Sequence, residues 1–62
     1  MTTSDYILQV VQADGPCSLV HVLADCKKQG FTAGFVKAFQ SLKDQRLICA
    51  ESDEEGTTVY LV

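Results

Sequence analysis

The sequence has little proline and little histidine, one residue of each, and no apolar run in it approaches the roughly 20 residues that a membrane span needs. A hydrophobic content of 47% combined with a single proline argues against an intrinsically disordered segment. The first five residues also lack the charged n-region of a signal peptide. We therefore expect a folded protein that neither crosses a membrane nor carries a targeting signal.

The number of cysteines is odd, three in 62 residues. Cys17, Cys26 and Cys49 leave one thiol unpaired under any single disulfide, and their spacings resemble no zinc or iron-sulfur ligand set. Each lies in an apolar stretch, so we interpret all three as small buried hydrophobic residues. These features predict a reducing, cytoplasmic location and no metal or other cofactor.

Catalytic constellations are also missing. His21 is the only histidine, and neither a second histidine nor a carboxylate lies at an evident triad or metal-ligand spacing from it. The run Asp53-Glu54-Glu55 lacks the alternating oxygen ligands of a calcium-binding EF-hand loop. A chain of 62 residues has room for one hydrophobic core and no deep cleft. We expect one domain over residues 1–62, with no catalytic residue and no enzymatic activity.

Positive charge is absent from most of the chain. All five basic residues lie between positions 27 and 46, and Asp44 is the only acidic residue among them, so this segment carries a formal charge of +4. The rest of the chain has seven acidic residues and no lysine or arginine, a formal charge of -7. This asymmetry is more informative than the net charge of -3, because a local excess of positive charge attracts polyanions.

Apolar side chains recur at helical spacing in three stretches, which predicts three α-helices. The stretches cover about residues 4–13, 18–29 and 32–45. A hydroxyl residue at the start of each can cap the helix: Ser4, Ser18 and Thr32. The first two helices are expected to end at Asp14-Gly15-Pro16 and at Gly30, because glycine tolerates the left-handed cap conformation and proline cannot continue the hydrogen-bond ladder.

The predicted second and third helices are amphipathic. The buried stripe of the second consists of Leu19, Val22, Leu23 and Cys26. That of the third consists of Phe35 or Val36, with Phe39 and Leu42. The outward face of the third helix is then small and partly basic, with Ala33, Gly34, Lys37, Ser41 and Lys43.

Two β-prone runs, at about residues 47–51 and 57–62, flank a polar stretch that ends in Gly56, and this pattern predicts a two-stranded hairpin. A lone hairpin is marginally stable in water, so we expect it to pack on the helices through Ile48, Val59 and Leu61. Together these elements predict an α+β fold, a three-helix bundle closed by a C-terminal hairpin.

The stretch from Val36 to Ile48, followed after a polar gap by Val59-Tyr60-Leu61, is similar to the pattern of bacterial and archaeal winged-helix regulators. In that pattern the Leu-Ile pair opens the hairpin, or wing, and Val-Tyr-Leu closes it. Nearly the whole chain resembles the winged helix-turn-helix superfamily. Many of these families have glycine just before the Leu-Ile pair, where this chain has Arg46. A side chain is tolerated there if the turn avoids positive φ.

The resemblance implies that helix 3 is a recognition helix for the major groove of double-stranded DNA and that the chain is a transcriptional regulator. Carried onto this sequence, the candidate DNA-binding residues are Thr32, Ala33, Gly34, Lys37, Ser41 and Lys43, with Lys27 and Lys28 beside them. Small residues at the start of the helix let its free N–H groups approach phosphate closely. Lys37 is expected to reach a base edge or a phosphate.

The hairpin is acidic where many winged-helix relatives are basic, with Glu51, Asp53, Glu54 and Glu55. A carboxylate opposes the neutralisation of phosphate, so DNA contact is expected from about two to five cations of helices 2 and 3. Tight binding would then require a dimer on two half-sites. The alternative function is a protein-interaction module of a transcription, replication or other nucleoprotein assembly, whose acidic wing binds a basic partner surface.

Overall fold

A computed structural model that describes all 62 residues shows an α+β fold with three helices and one three-stranded antiparallel sheet. The elements follow the order α1 (Thr3–Asp14), β1 (Cys17–Ser18), α2 (Leu19–Lys28), α3 (Phe35–Asp44), β2 (Ile48–Asp53) and β3 (Gly56–Leu61). The predicted three helices and C-terminal hairpin are present, and β1 is an additional strand.

The first two helices begin at side-chain caps. The Thr2 hydroxyl accepts the N–H of Asp5 at 3.2 Å, and the Asp5 carboxylate accepts the N–H of Thr2 at 3.1 Å. This reciprocal pair satisfies two N–H groups at the start of α1, so the cap is Thr2 and the predicted cap Ser4 lies inside the helix. At α2 the predicted cap is confirmed, because the Ser18 hydroxyl accepts the N–H of His21 at 3.1 Å.

The C-terminus of α2 is closed by a glycine in the left-handed conformation. Gly30 has φ +82° and donates its N–H to the Lys27 carbonyl at 3.2 Å. The next residue, Phe31, donates its N–H back to the Cys26 carbonyl at 2.7 Å. This pair of bonds is a Schellman motif, which satisfies helix carbonyls that would otherwise lack partners.

The C-terminus of α3 repeats the same motif with an arginine at the glycine position. Arg46 has φ +61° and donates its N–H to the Lys43 carbonyl at 3.0 Å, while Leu47 donates to the Leu42 carbonyl at 3.1 Å. Arg46 is the only residue other than glycine with positive φ. The turn before the hairpin was expected to avoid positive φ, because a side chain occupies the usual glycine position. That expectation is wrong, since Arg46 itself has positive φ.

The sheet has the strand order β1-β3-β2, so the last strand of the chain lies in the middle. On one side Val59 of β3 pairs with Cys17, and on the other side it pairs with Ala50. The two-residue strand β1 leads directly into α2 and ties the start of that helix to the hairpin.

Nine apolar residues form one buried core between the helices and the inner face of the sheet. They are Ile7, Val10, Val11, Val22, Cys26, Phe35, Leu42, Ile48 and Val59. At the start of α3, the buried residue is Phe35, whereas Val36 is 79% exposed. Two predicted core positions are wrong, since Leu23 and Leu61 are 41% and 43% exposed. None of the three helices is long and apolar enough to cross a membrane.

Candidate nucleic-acid interface

The N-terminus of α3 has no side-chain cap. Gly34 occupies the cap position with φ +70°, and the N–H of Phe35 bonds to the Thr32 carbonyl at 3.1 Å. The helix therefore begins at Phe35, three residues after the predicted start, and Thr32 does not cap it. No backbone or side-chain acceptor in the structure bonds the N–H groups of Val36 and Lys37. These groups, at the positive end of the helix dipole, are available to an external acceptor.

An open depression of about 580 Å³ lies at this end of the helix. Its lining residues are Thr32, Gly34, Phe35, Val36, Lys37 and Gln40. Three of these residues, Thr32, Gly34 and Lys37, are predicted DNA-binding positions that the structure brings together. Val36 and Gln40 also line the depression but were not among the predicted DNA-binding residues. The i, i+4, i+7 spacing of Phe35, Phe39 and Leu42 fixes Phe35 as the inward residue, and therefore turns Val36 outward.

The basic residues are free of ion pairs, because the only ion pair in the structure joins His21 and Asp14. Lys27 and Lys28 are exposed in the last turn of α2, and Lys37 is exposed in the first turn of α3. These three ammonium groups are thus not neutralised by a carboxylate of the chain. Arg46, just after the end of α3, is also exposed and unpaired, so four exposed cations are open to an external anion.

Lys43 does not point freely outward as predicted. It is half-buried, and its ammonium nitrogen lies 5.8 Å from the centre of the Phe39 ring. This geometry is a cation–π contact, which engages the charge within the protein. Lys43 therefore contributes to the packing of α3 rather than to its outward face.

The remaining predicted site residues, Ala33 and Ser41, are exposed and accept hydrogen bonds from elsewhere in the chain. Ser41 accepts a hydrogen bond from the Gln45 amide at 3.1 Å. The carbonyl of Ala33 accepts a hydrogen bond from the Thr3 hydroxyl at 3.2 Å, which connects the loop before α3 to the start of α1. Neither residue lines the depression. Ala33 fixes the position of the helix start, whereas Ser41 lies on the next turn of its outward face.

The same outward face carries an amide and a carboxylate. The Gln40 side-chain nitrogen donates to the Asp44 carboxylate at 3.1 Å, one helical turn further along. This bond holds the amide along the exposed face. Asp44 places one negative charge beside Lys43 in the last turn, so the unopposed positive charge of α3 is that of Lys37 in its first turn.

The hairpin turn is acidic and internally organised. The Asp53 carboxylate accepts the N–H groups of Glu55 and Gly56 at 2.8 Å and 3.1 Å, which fixes the two-residue connection between β2 and β3. Glu54 and Glu55 are exposed and have no side-chain partner. The two glutamates form a free acidic tip, whereas Asp53 has a structural role.

Glu51 accepts a hydrogen bond from the Tyr60 hydroxyl at 3.0 Å across the hairpin. This bond favours the protonated phenol, and together with desolvation and the glutamate charge it raises the pKa of Tyr60. Glu51 is thus an acceptor within the sheet rather than part of the free tip.

His21 has a carboxylate partner that the sequence spacing did not reveal. Its ring nitrogen Nε2 lies 3.0 Å from the Asp14 carboxylate, and both side chains are about half exposed. Asp14 lies seven residues before His21, a spacing that did not indicate this contact. The pair joins the last residue of α1 to the first turn of α2.

All three cysteines are free, and only Cys26 is fully buried. Burial raises the pKa of the Cys17 and Cys26 thiols. The charge of Asp14 adds a smaller rise at Cys17, and that of Asp25 does so at Cys26. A raised pKa disfavours the reactive thiolate form. No group of three or more histidine, cysteine or acidic side chains is arranged to hold a metal ion.

Comparisons with known proteins yield no relative. No protein-family model, no curated protein and no solved structure matches the chain. The function must therefore be inferred from the chain's own residues.

Proposed function

We propose that this chain is a winged-helix domain that binds double-stranded DNA through α3 and acts as a transcriptional regulator. The order of helices and strands, with all three strands in one antiparallel sheet, is compatible with that fold. In such a domain α3 is the recognition helix, β2 and β3 form the wing, and the N-terminal residues of α3 approach the base edges.

The observation that carries the proposal is the uncapped, exposed start of α3 beside an unpaired lysine. The free N–H groups of Val36 and Lys37 lie at a helix end that is equivalent to about half a positive charge. The Lys37 ammonium adds a full charge on the same turn. This combination favours a phosphate or an electronegative base edge as the ligand.

The expected affinity of one domain is low. Lys27, Lys28 and Lys37 are the exposed cations nearest the start of α3 along the chain, and three neutralised phosphates give a salt slope of about -2.7. Winged-helix regulators with few contacts gain affinity when two copies bind adjacent half-sites. The proposal therefore includes a dimer on the DNA.

A titration of labelled duplex at two or more salt concentrations tests the proposal. Lys37→Gln and Arg46→Gln each remove one positive charge, from the start of α3 and from the turn after it. We expect Lys37→Gln to reduce the salt slope by about one unit and Arg46→Gln to leave it nearly unchanged. No duplex binding at low salt would refute the proposal. Equal effects of the two variants would refute the role of the α3 start.

A protein-interaction module is a second candidate, and the free acidic tip of the hairpin favours it. Glu54 and Glu55 have no partner within the chain, and they would complement a basic protein surface. The double variant Glu54→Lys/Glu55→Lys separates the two candidates because Asp53, which fixes the turn, stays intact. DNA binding predicts stronger duplex affinity for this variant, whereas a protein module predicts loss of its basic partner in a pull-down.

A further inference from the structure

The exposed face of α3 carries two side chains suited to base edges. Val36 is 79% exposed, while the neighbouring Phe35 is buried in the core. Gln40, one turn further along the helix, is exposed on the same face, and both residues line the open depression. The two side chains therefore present an apolar group and an amide to the same ligand.

We infer that Val36 and Gln40 select a thymine and an adenine in the major groove, an inference that rests on the proposed DNA binding. The thymine 5-methyl group is the apolar feature of the major groove, and a valine side chain can contact it. A glutamine amide can pair with adenine by accepting from N6 and donating to N7. The ligand is accordingly a duplex with A·T pairs at the positions facing the start of α3.

The hydrogen bond between Gln40 and Asp44 leaves the amide competent for this pairing. One N–H of the Gln40 amide is directed to the Asp44 carboxylate at 3.1 Å. The second N–H and the amide oxygen remain, which is one donor and one acceptor, the set that adenine requires. Guanine presents two acceptors at the same edge and would face the amide oxygen with its O6 atom.

The spacing of the two residues limits how far apart the bases lie. Side chains four residues apart on a helix have Cβ atoms about 5–6 Å apart. Successive base pairs rise about 3.4 Å along each DNA strand. The thymine and the adenine are therefore expected on adjacent base pairs or one pair apart.

Base-analogue substitution in a selected duplex tests the inference. The preferred site is first selected with the wild-type protein from duplexes randomised over one helical turn. Each thymine is then replaced by uracil, which lacks the 5-methyl group, and each adenine by 7-deazaadenine, which lacks the N7 acceptor. We expect one uracil to weaken binding about fourfold, the effect of one buried methyl group. One deazaadenine is expected to weaken it by about fivefold or more.

The variants assign each effect to a side chain. Val36→Ala should lose the sensitivity to uracil, and Gln40→Ala should lose the sensitivity to deazaadenine. Val20→Ala and Gln9→Ala are the matched controls. Val20 is 76% exposed on α2 and Gln9 is exposed on α1, and both variants should keep the wild-type sensitivities.

Two other results overturn the inference and are distinct from one another. Duplex binding without sensitivity to either base analogue would show that α3 contacts only phosphates, and the proposed DNA binding would stand. Absence of binding to any duplex would remove the proposed function together with the base assignment.

Discussion

Replacement of Arg46 by glycine is expected to stabilise the protein. Arg46 occupies the left-handed position of the Schellman motif at the end of α3, with φ +61°. That conformation costs a residue with a side chain about 1–2 kcal/mol. Glycine removes this cost but loses about 0.5–1 kcal/mol more backbone entropy on folding. The Arg46 side chain is exposed and makes no hydrogen bond or ion pair, so its removal sacrifices no contact of that kind.

The net gain for Arg46→Gly is then about 0 to 1.5 kcal/mol, with a central value of about 0.8 kcal/mol. For a domain of this size, the central value corresponds to a rise in Tm of about 3–6 °C. Urea unfolding followed by circular dichroism gives the free energy directly, and the m-value should stay unchanged if the native state keeps its compactness. Arg46→Ala is the control, because alanine keeps the conformational cost and should leave stability nearly the same.

The end of α2 supplies the reciprocal experiment. Gly30 holds the equivalent position with φ +82°, and a Cβ placed there would meet no heavy atom within 4 Å. Gly30→Ala should therefore lose about 1 kcal/mol through backbone conformation alone. A protein in which Gly30→Ala is destabilised but Arg46→Gly gains nothing would refute the reasoning about Arg46.

Five further variants probe the cap of α1, the hydrogen bond between Tyr60 and Glu51, and the core. Thr2→Ala should lower stability by about 1 kcal/mol in urea unfolding, because it removes the cap of α1. The hydrogen bonds from Thr2 lower the pKa of Asp5 below 3.8. Their contribution to the free energy of unfolding is therefore present above pH 3.8 and is lost as the pH falls through the lowered pKa. Asp5→Asn should flatten this dependence of stability on pH. Glu51→Gln should shift the phenol pKa of Tyr60 back toward 10.0 in a spectrophotometric titration, and an unchanged titration would contradict the hydrogen-bond assignment. Ile7→Ala, at a fully buried position, should cost about 2–5 kcal/mol, whereas Ile7→Val should cost about 0.5–1.5 kcal/mol.

The helices and the hairpin were predictable because they bury one face at a regular period. The strand β1 was not, since two residues, Cys17 and Ser18, are too few to show any period. The start of α3 was misplaced because Thr32 is a common cap residue. In the structure the Thr32 carbonyl accepts the N–H of Phe35, and Gly34, within this turn, has a left-handed backbone conformation. Local sequence therefore located the elements better than it located their ends.

The candidate site was predictable as a region and only partly as a set of side chains. Helical spacing identified α3 and its outward Lys37. It could not show that Lys43 lies against Phe39, because that contact depends on the side-chain conformation in the folded protein. The pairing of His21 with Asp14 was hidden for a similar reason, since it depends on how two helices meet across the turn between them.

The central place of β3 in the sheet has a consequence for folding. This strand is the last element of the chain, yet Val59 is what joins Cys17 to Ala50 across the sheet. Cys17 and Val59 are far apart along the chain, whereas the hydrogen bonds of α1 and α2 are local, so the helices can form before this pairing closes the sheet. Until it closes, Val11 and Val22, both buried in the folded protein, lack the strand that completes their core. The pairing of β1 with β3 is therefore expected to be a late step of folding.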